Sequence, residues 1–445
     1  MDAKSLNKLI DSLCVDSLCI KNVRLINPAT AFDGKVYILI DHGKIVGIVD
    51  SADMPEETID SESIAAESIL ADGLICVPGL IDTHSHFRDP GFTYKEDIES
   101  GSEAALYGGY TSIVLMANTK PSVDSVETLQ YVLKKGKNTE INIYSAANVT
   151  KGMEGKELTD MEALKKAGAT CFTDDGKPIM DEELLRAAFI KAKELNVPIA
   201  LHEENPEYIT NNGINEGEVS KALGIKGSPR EAEISMIKRD IEIAKETGVE
   251  LIIQHISTKE GVELVREARK THKNIHAEAT PHHFSLTEQA VLKHGANAKV
   301  NPPLRTEEDR MAIIEGLRDG TIEIIATDHA PHAKEEKDQE LTKAPSGMIG
   351  LQSSLALGIH ELVNKGYLTL EQLIEKMTVN PARIYHLDDV AGTVEVGRKA
   401  DMILIDPKLT KSISAYGSKS ENSPFIGLKT EGNVSYTIHN GRIYG

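Results

Sequence analysis

Several kinds of residue are scarce in this chain of 445 residues, and each shortage reduces the number of functions that the chain is expected to have. Trp is absent and aromatic residues make up 4% of the chain, so a stacking platform for single-stranded nucleic acid is not expected. No apolar run approaches the ~20 residues of a membrane span. Basic residues are outnumbered, and the formal charge of −20 disfavours nucleic acid and anionic membranes as partners.

Cysteine is also rare, and its spacing resembles neither a zinc site nor a redox motif. The four cysteines are Cys14, Cys19, Cys76 and Cys171. Free thiols in a reducing cytoplasm are therefore expected. The first 13 residues lack a basic region followed by an apolar stretch, so we do not expect a secretory signal.

Both ends of the chain are rich in strand-like sequence. Asp41-His-Gly-Lys44 lies between two apolar runs and predicts a hairpin turn. We interpret residues 17–73 and 390–445 as one small β-sandwich domain formed by both termini. Residues 1–16 form an N-terminal extension, in which the spacing of Leu6, Ile10 and Leu13 indicates a short amphipathic helix.

Between these ends, residues 74–389 alternate between strand-like and helix-like segments. The strand-like segments are 74–81, 111–116, 141–146, 169–173, 197–201, 250–254, 275–279 and 322–327. Helices are expected between them, for example over 181–195 and 229–247, where Pro229 and Gly248 mark the two ends. Eight strand–helix units predict an α/β fold, a closed (β/α)8 barrel with its active site at the carboxyl ends of the strands.

Five short segments carry metal-ligand side chains where these strands should end. They are Asp82-Thr-His84-Ser-His86, Phe172-Thr-Asp174-Asp175-Gly176, Ala200-Leu-His202-Glu203, Ile253-Gln-His255-Ile256 and Ala326-Thr-Asp328-His329. In an extended strand, side chains two residues apart point to the same side, so His84 and His86 can reach one ion. Four His and two Asp are too many for one zinc ion, which takes about four ligands. The set fits two metals that share a bridging carboxylate and a bridging hydroxide.

Two questions stay open at the level of these residues. His202 and His255, each taken alone, are more often structural than ligating. Strand alternation also does not decide whether Asp174 or Asp175 points inward. Imidazole and carboxylate ligands without thiolate favour zinc, with manganese, cobalt or iron as alternatives.

Longer motifs around these residues carry a resemblance to a known family. They are Asp82-Thr-His-Ser-His-Phe-Arg-Asp-Pro-Gly91, Asn118-Thr119, Phe172-Thr-Asp-Asp-Gly176, His255-Ile-Ser-Thr-Lys259, Ala279-Thr-Pro-His-His283, Lys299-Val-Asn-Pro-Pro-Leu-Arg305 and Ala326-Thr-Asp-His-Ala-Pro-His332. Over about residues 18–445 the chain resembles the dihydroorotases of the amidohydrolase superfamily, in the bacterial class with a bridging aspartate.

The resemblance implies a reaction and a ligand set. His84, His86 and Asp328 would hold one zinc, His202 and His255 the second, and Asp175 would bridge them. The reaction would be the reversible cyclisation of N-carbamoyl-L-aspartate to L-dihydroorotate in pyrimidine biosynthesis. A metal-bridging hydroxide would be the nucleophile and Asp328 the general acid and base.

The substrate of that reaction is a small anion with a carboxylate and amide edges. Arg88 can bind a carboxylate through two parallel hydrogen bonds, and Asn118 and Asn301 each offer an amide donor and acceptor. The expected substrate contacts are His86, Arg88, Asn118, Asn301, His332, Ser346 and Gly347. Asn118 and Asn301 could instead cap loops, and Arg88 could instead pair with Asp89 or Glu96.

Two segments near the site have structural interpretations. His282 and His283 are interpreted as structural residues near a strand end. Residues 332–340 form a charged run, interpreted as a solvated, mobile loop, with a lid over the substrate as the alternative.

Two other functions compete with this one. Related hydantoinases and allantoinases usually bridge their metals with a carbamylated lysine, and residues 169–176 contain none. An inactive barrel that scaffolds a transcarbamoylase partner is the third hypothesis, which the full ligand set disfavours. The resemblance also implies a homodimer in the cytoplasm, with aspartate transcarbamoylase as a candidate partner.

Overall fold

The computed structural model describes residues 17–54 and 67–445. The amphipathic helix expected within residues 1–16, and Cys14 with it, lie outside the described residues. Cys19, Cys76 and Cys171 are free and buried, as expected. None of the helices in the described ranges combines the length and the apolar character that a membrane crossing needs.

Strands and helices alternate through the middle of the chain, with strands alone near its ends. The strands are β1 (Leu18–Asn27), β2 (Phe32–Asp41), β3 (Lys44–Asp50), β4 (Glu67–Leu70), β5 (Ile75–Pro78), β6 (Leu80–Ser85), β7 (Tyr110–Leu115), β8 (Asn142–Ser145), β9 (Ile199–Leu201), β10 (Leu251–Ile253), β11 (Ile275–Ala279), β12 (Ile324–Ile325), β13 (Met402–Ser412), β14 (Lys429–His439) and β15 (Arg442–Tyr444). The helices are α1 (Ile98–Gly108), α2 (Val126–Gly136), α3 (Met161–Ala167), α4 (Glu182–Glu194), α5 (Glu218–Leu223), α6 (Arg230–Thr247), α7 (Lys259–Arg269), α8 (Pro281–Ser285), α9 (Gln289–His294), α10 (Glu307–Asp319), α11 (Lys334–Lys337), α12 (Ser354–Gly358), α13 (Leu370–Met377) and α14 (Val379–Ile384).

The two helices predicted in detail form where the sequence placed them. Asp181 precedes α4 and its side chain accepts a hydrogen bond from the Leu184 backbone, which satisfies a free N–H of the first turn. Pro229 precedes α6, and Gly248 ends it with a φ of 70°, a left-handed conformation that costs glycine little.

Strands from both ends of the chain form one sheet. Its order is β15-β14-β13-β5-β1-β2-β3, with β4 paired to β1. The predicted turn at Asp41–Lys44 joins β2 to β3, with positive φ at both His42 and Gly43. That geometry is typical of a two-residue hairpin turn. Apolar side chains such as Ile20, Ile38 and Leu404 are buried beneath the sheet.

The middle of the chain forms the closed barrel that the alternation predicts. The barrel has eight strand positions, which we call staves. Two parallel groups of strands, β6-β7-β8 and β9-β10-β11-β12, supply seven of them. Phe172 supplies the eighth, because it pairs in parallel with Ala147 on one side and Ile199 on the other. Ser85 pairs with His329 and so joins the first strand to the last.

The segment 74–81, expected as one barrel strand, is two strands. β5 belongs to the terminal sheet, where Pro78 pairs with Met402, and β6 begins the barrel at Leu80. Gly79 lies between them, and a Cβ at that position would collide with the Thr111 side chain on β7. The chain therefore passes from one sheet to the other at a position where only glycine fits. The sequence did not indicate this break, because residues 74–81 are apolar almost throughout.

The buried carboxylate of Asp82 reinforces the closure of the barrel. It accepts hydrogen bonds from the Thr327 backbone N at 2.8 Å and from the Thr327 hydroxyl at 2.6 Å. The Ser85 hydroxyl donates to the same carboxylate. Asp82 thus ties the first strand to the residue before Asp328, and a buried carboxylate requires such partners.

We predict that Thr327→Val lowers the free energy of unfolding by about 1–2 kcal/mol, because it removes one of the two hydroxyl donors to the buried Asp82 Oδ2 while the volume hardly changes. Urea denaturation followed by circular dichroism measures the change. Thr410→Val on the exposed part of β13 is the control and should shift the value by less than about 0.5 kcal/mol. Equal stability of the Thr327 variant and the wild type would contradict this role of Asp82.

Candidate metal centre and substrate pocket

The structure brings the six expected ligands together at one end of the barrel. They lie at the ends of five staves: His84 and His86 on the first, Asp175 after Phe172, His202 after β9, His255 after β10, and Asp328 after β12. All six side chains are buried. The carboxyl ends of the strands therefore converge on one polar cluster inside an otherwise apolar barrel.

Asp175 lies at the centre of this cluster. Its Oδ1 is 3.6 Å from His84 Nε2, 3.8 Å from His202 Nδ1 and 3.8 Å from His255 Nε2. Its Oδ2 is 3.5 Å from His86 Nε2. Burial by itself raises the pKa of Asp175, but the surrounding imidazoles outweigh burial and hold that pKa well below its usual value.

Asp328 faces the same histidines from the other side. Its Oδ1 is 3.1 Å from His86 Nε2 and 3.6 Å from His84 Nε2. Both Asp328 and His255 have positive φ, at 46° and 31°. Such conformations are unfavourable for residues other than glycine and tend to occur at functional sites.

The donor atoms of this cluster fit divalent cations. His84 Nδ1 lies 2.5 Å from Glu278 Oε1 and donates its proton to that carboxylate. Nε2 is buried, has no hydrogen-bond partner among the described residues, and faces the carboxylates of Asp175 and Asp328. Burial lowers the pKa of His84, but Glu278 and Asp175 outweigh burial and hold that pKa well above its usual value, so Nε2 carries a proton unless a cation takes its place.

The ring nitrogens close to these carboxylates form two overlapping sets. One set is His84, His86 and Asp328, and the other is His84, Asp175 and His255. His202 lies outside both sets, although its Nδ1 is only 3.0 Å from His255 Nε2. At that distance the two imidazole nitrogens are within hydrogen-bond range of each other, and because both lie near Asp175 a cation could bind them instead.

A cavity of about 180 Å³ opens directly onto this cluster. It is smaller than the roughly 300–1,000 Å³ of pockets for drug-sized ligands, so it suits a small molecule. The residues around it include every expected substrate contact: His86, Arg88, Asn118, Asn301, His332, Ser346 and Gly347.

Two of these residues carry unsatisfied polar groups. The Asn301 carbonyl and the Ser346 hydroxyl are buried without a partner in the described parts of the chain. Arg88 adopts a φ of 59°, donates its Nε to the Pro331 carbonyl at 3.2 Å, and has its Nη2 3.5 Å from His332 Nε2. A buried polar atom without a partner is costly, and a bound ligand removes that cost.

Asn118 and Gly347 are already engaged. The Asn118 carbonyl lies 3.0 Å from His86 Nδ1, and its amide donates to Asp175 Oδ2 at 2.9 Å. In this arrangement Asn118 orients two candidate ligands. The Gly347 backbone N donates to the Lys299 carbonyl at 2.8 Å, which fixes the loop beside the cavity.

Comparison with known proteins identifies the kind of site this is. The sequence profile of the amidohydrolase family matches residues 75–444. Dihydroorotases from Clostridioides difficile and Clostridium acetobutylicum are 52% and 49% identical to this chain, each over 96% of it and 99% of the relative. The chain belongs to the dihydroorotase branch of the amidohydrolase family.

Membership of this family makes the chain a cyclic amide hydrolase, and the family is metal-dependent. Its fold is shared more widely. The L-hydantoinase (dihydropyrimidinase) from Arthrobacter aurescens superposes with a TM-score of 0.85 at 26% identity, covering 96% of this chain and 95% of that one. The barrel is therefore common to several ring-opening enzymes, and the side chains must distinguish them.

The two aspartates that follow Phe172 have separate roles. Asp174 turns away from the histidines and accepts hydrogen bonds from the Val149 and Thr150 backbone N atoms, at 2.9 and 3.2 Å. Asp175 is thus the carboxylate that faces the cluster. Lys177 is exposed, so it does not supply the bridging lysine of the hydantoinase alternative.

The charged run 332–340 is only partly the solvated loop expected from its composition: Lys334, Glu335, Asp338, Gln339 and Glu340 are exposed, but the run is not all loop and not all solvated. Residues 334–337 form α11, and Lys337 is buried, donating to the carbonyls of Pro345 and Gly347 at 2.8 and 2.9 Å. Burial lowers the pKa of Lys337 to about 7, and the neighbouring Lys299 adds to the effect. Closure of this segment over substrate stays a prediction.

His282 and His283 have structural surroundings, as interpreted. His283 Nε2 is 3.0 Å from the Pro302 carbonyl, and Thr280 caps the short α8 that contains both residues. Burial lowers the pKa of His282 to about 4, so the ring is neutral at pH 7.

Sequence reasoning missed Glu278, which orients His84. Glu278 is fully buried within β11, and its Oε1 is also 3.3 Å from the His255 backbone N. The signal was available, because a glutamate in the apolar run Ile275–Ala279 has to be paired.

We predict that Glu278→Gln weakens metal binding about 10–100-fold, because an amide no longer fixes the tautomer and the basicity of His84. Metal titration of the apoprotein, with bound metal counted by atomic emission, measures this. Glu288→Gln is the control, since this buried carboxylate bonds Asn215 away from the cluster. Unchanged affinity in the Glu278 variant would show that His84 is not a ligand held in this way.

Proposed function

We propose that this chain catalyses the reversible cyclisation of N-carbamoyl-L-aspartate to L-dihydroorotate, a step of pyrimidine biosynthesis. The observation that carries the proposal is the coincidence of two facts. Relatives up to 52% identical over nearly the whole chain are dihydroorotases. The same chain has an arginine and five of the six candidate ligands around one small cavity, and the sixth, His84, lies within 3.6 Å of both Asp175 and Asp328.

Two zinc ions per subunit are the metals we propose, other divalent ions being alternatives. His84, His86 and Asp328 would hold one ion, His202 and His255 the other, and Asp175 would bridge them. When bound, such a pair polarises the ring carbonyl and supplies a hydroxide nucleophile at neutral pH. The proximity of His202 Nδ1 to His255 Nε2 supports the second site.

Arg88 is the proposed anchor for the substrate carboxylate. Only its Nε is committed to a carbonyl, so the terminal nitrogens are available for a bidentate pair. Asn301 and the Ser346 hydroxyl would bind the amide edges of the ring, since each has an unpartnered oxygen in the described structure. The cavity thus combines one cationic anchor with neutral polar groups.

Asp328 is the proposed proton carrier. In the hydrolytic direction it accepts a proton as the oxygen nucleophile adds to the ring carbonyl. It then delivers that proton to the ring nitrogen as the C–N bond breaks. Burial raises the pKa of Asp328, but the hydrogen bond with His86 and the nearby histidines outweigh burial and hold that pKa below its usual value. The carboxylate is therefore ionised and available to accept a proton.

We predict that the protein turns over L-dihydroorotate and that Asp328→Asn lowers kcat by about 10²–10⁴-fold, the usual contribution of a general acid–base. Loss of ultraviolet absorbance follows the ring opening, and the metal content of both proteins is counted. The exposed Asp388→Asn is the matched control. Turnover of hydantoin or allantoin instead would reassign the substrate, and a metal-loaded protein inactive on every ring would favour the scaffold hypothesis.

We predict that Arg88→Met raises KM for L-dihydroorotate about tenfold or more, because charge-assisted hydrogen bonds contribute about 1.5–3 kcal/mol. Inhibition constants for orotate, which carries the carboxylate, and uracil, which lacks it, separate this role from general damage. The orotate constant should rise and the uracil constant should not. Arg318→Met on the exposed side of α10 is the control. Equal weakening of both inhibitors would sink the anchor role.

The homodimer, the association with aspartate transcarbamoylase and the cytoplasmic location stay predictions. The division of the chain into residues 1–16, 17–73 with 390–445, and 74–389 is likewise proposed.

A further inference from the structure

Lys95 lies beside the cavity in the segment between β6 and α1. Its Nζ is 3.2 Å from His332 Nδ1 and 2.9 Å from Glu336 Oε1. Its side chain is only 12% exposed, and the ammonium also lies near the rings of Phe92 and Tyr94. Lys95 is thus held in one place, with its ammonium directed at one nitrogen of His332.

This contact and the Ser346 carbonyl on the other side of the ring together determine which nitrogen of His332 carries the proton, and Lys95 keeps Nδ1 from donating to Glu336. An ammonium group only donates, so Nδ1 must accept and the ring proton must be on Nε2. Nε2 then donates to the Ser346 carbonyl, 2.9 Å away. Burial, with Arg88 and Lys95 close by, lowers the pKa of His332 to about 2, so the neutral ring is the relevant form.

The tautomer has a consequence for Arg88. Arg88 Nη2 is 3.5 Å from His332 Nε2, close enough for a hydrogen bond if Nε2 were an acceptor. With the proton on Nε2, two donors face each other and no bond forms. The terminal nitrogens of Arg88 therefore stay free of His332.

The opposite tautomer would reverse this arrangement. A proton on Nδ1 would point towards Glu336 Oε2, which is 3.7 Å away. Nε2 would then accept from Arg88 and release the Ser346 carbonyl. Both effects would disturb the cavity. The first would engage the Arg88 guanidinium in a hydrogen bond with His332, and the second would free the loop that carries Ser346.

We propose that Lys95 is a positioning residue that holds His332 in its Nε2–H tautomer and thereby keeps Arg88 free to bind the substrate carboxylate. This proposal rests on the proposed role of Arg88. The tautomer itself can be observed without any substrate, so the two ideas can fail separately.

The tautomer is measured on protein labelled with ¹⁵N in the histidine rings. A long-range ¹H–¹⁵N correlation spectrum distinguishes the protonated from the unprotonated ring nitrogen, and comparison with the His332→Gln spectrum assigns His332. The wild type should show the Nε2–H form, and Lys95→Met should shift His332 towards Nδ1–H. A wild-type His332 protonated on Nδ1, or a tautomer unchanged in Lys95→Met, would overturn the proposal.

The kinetic arm uses the same variant on L-dihydroorotate. Lys95→Met should raise KM roughly tenfold with kcat nearly unchanged, because an interaction common to ground and transition states is lost. Lys95→Arg, which keeps a donor and a charge, should restore most of the affinity. The exposed Lys334→Met on α11 removes the same charge without touching His332 and should leave KM unchanged.

Thermal melting of each variant tests for misfolding. A raised KM with the tautomer unchanged would overturn the proposal in favour of a simple charge effect, and so would an equal rise in Lys334→Met. A shifted tautomer in a protein that turns over no dihydroorotate would support the Lys95 contact and reject the proposed substrate.

Discussion

The buried carboxylate of Asp175 needs positive charge around it, and four imidazoles lie within 4 Å of its oxygens. The arrangement of the barrel mouth follows from this need. A carboxylate buried at this depth would be neutral or destabilising in an apolar barrel. These imidazoles come from three different staves, with His84 and His86 on the first, so no single strand could satisfy the carboxylate. Closure of the barrel by Asp82 and by the pairing of Ser85 with His329 holds those staves together.

The sequence predicted the barrel because each stave is a short apolar run and each run ends in a polar residue. It predicted that the candidate ligands lie close together for the same reason, since the carboxyl ends of parallel strands meet at one face. Tertiary information was needed elsewhere. Nothing local distinguishes β5 from β6, because the change of sheet at Gly79 depends on the proximity of Thr111, which is distant in sequence.

Composition misled where charged residues are buried by partners outside their own segment, whether near or far along the chain. Lys337 belongs to a run that looks solvated, yet it is buried against the carbonyls of Pro345 and Gly347. Glu278 was overlooked within an apolar strand because its partner, His84, is far away in the sequence and nothing local indicates the pairing. The choice of Asp175 over Asp174 was also tertiary, since it depends on the backbone at Val149 and Thr150.

The passage from β5 to β6 links the two ends of the gene product. Pro78 is paired with Met402 near the carboxyl terminus, and the Gly79 backbone N donates to the Asp401 carbonyl at 3.0 Å. A few residues later the same segment delivers His84 and His86. The base of the first ligand strand is therefore fixed by a contact between residues far apart in the sequence. Contacts of such long sequence separation slow folding, so the backbone beneath the candidate ligands depends on a pairing that forms slowly.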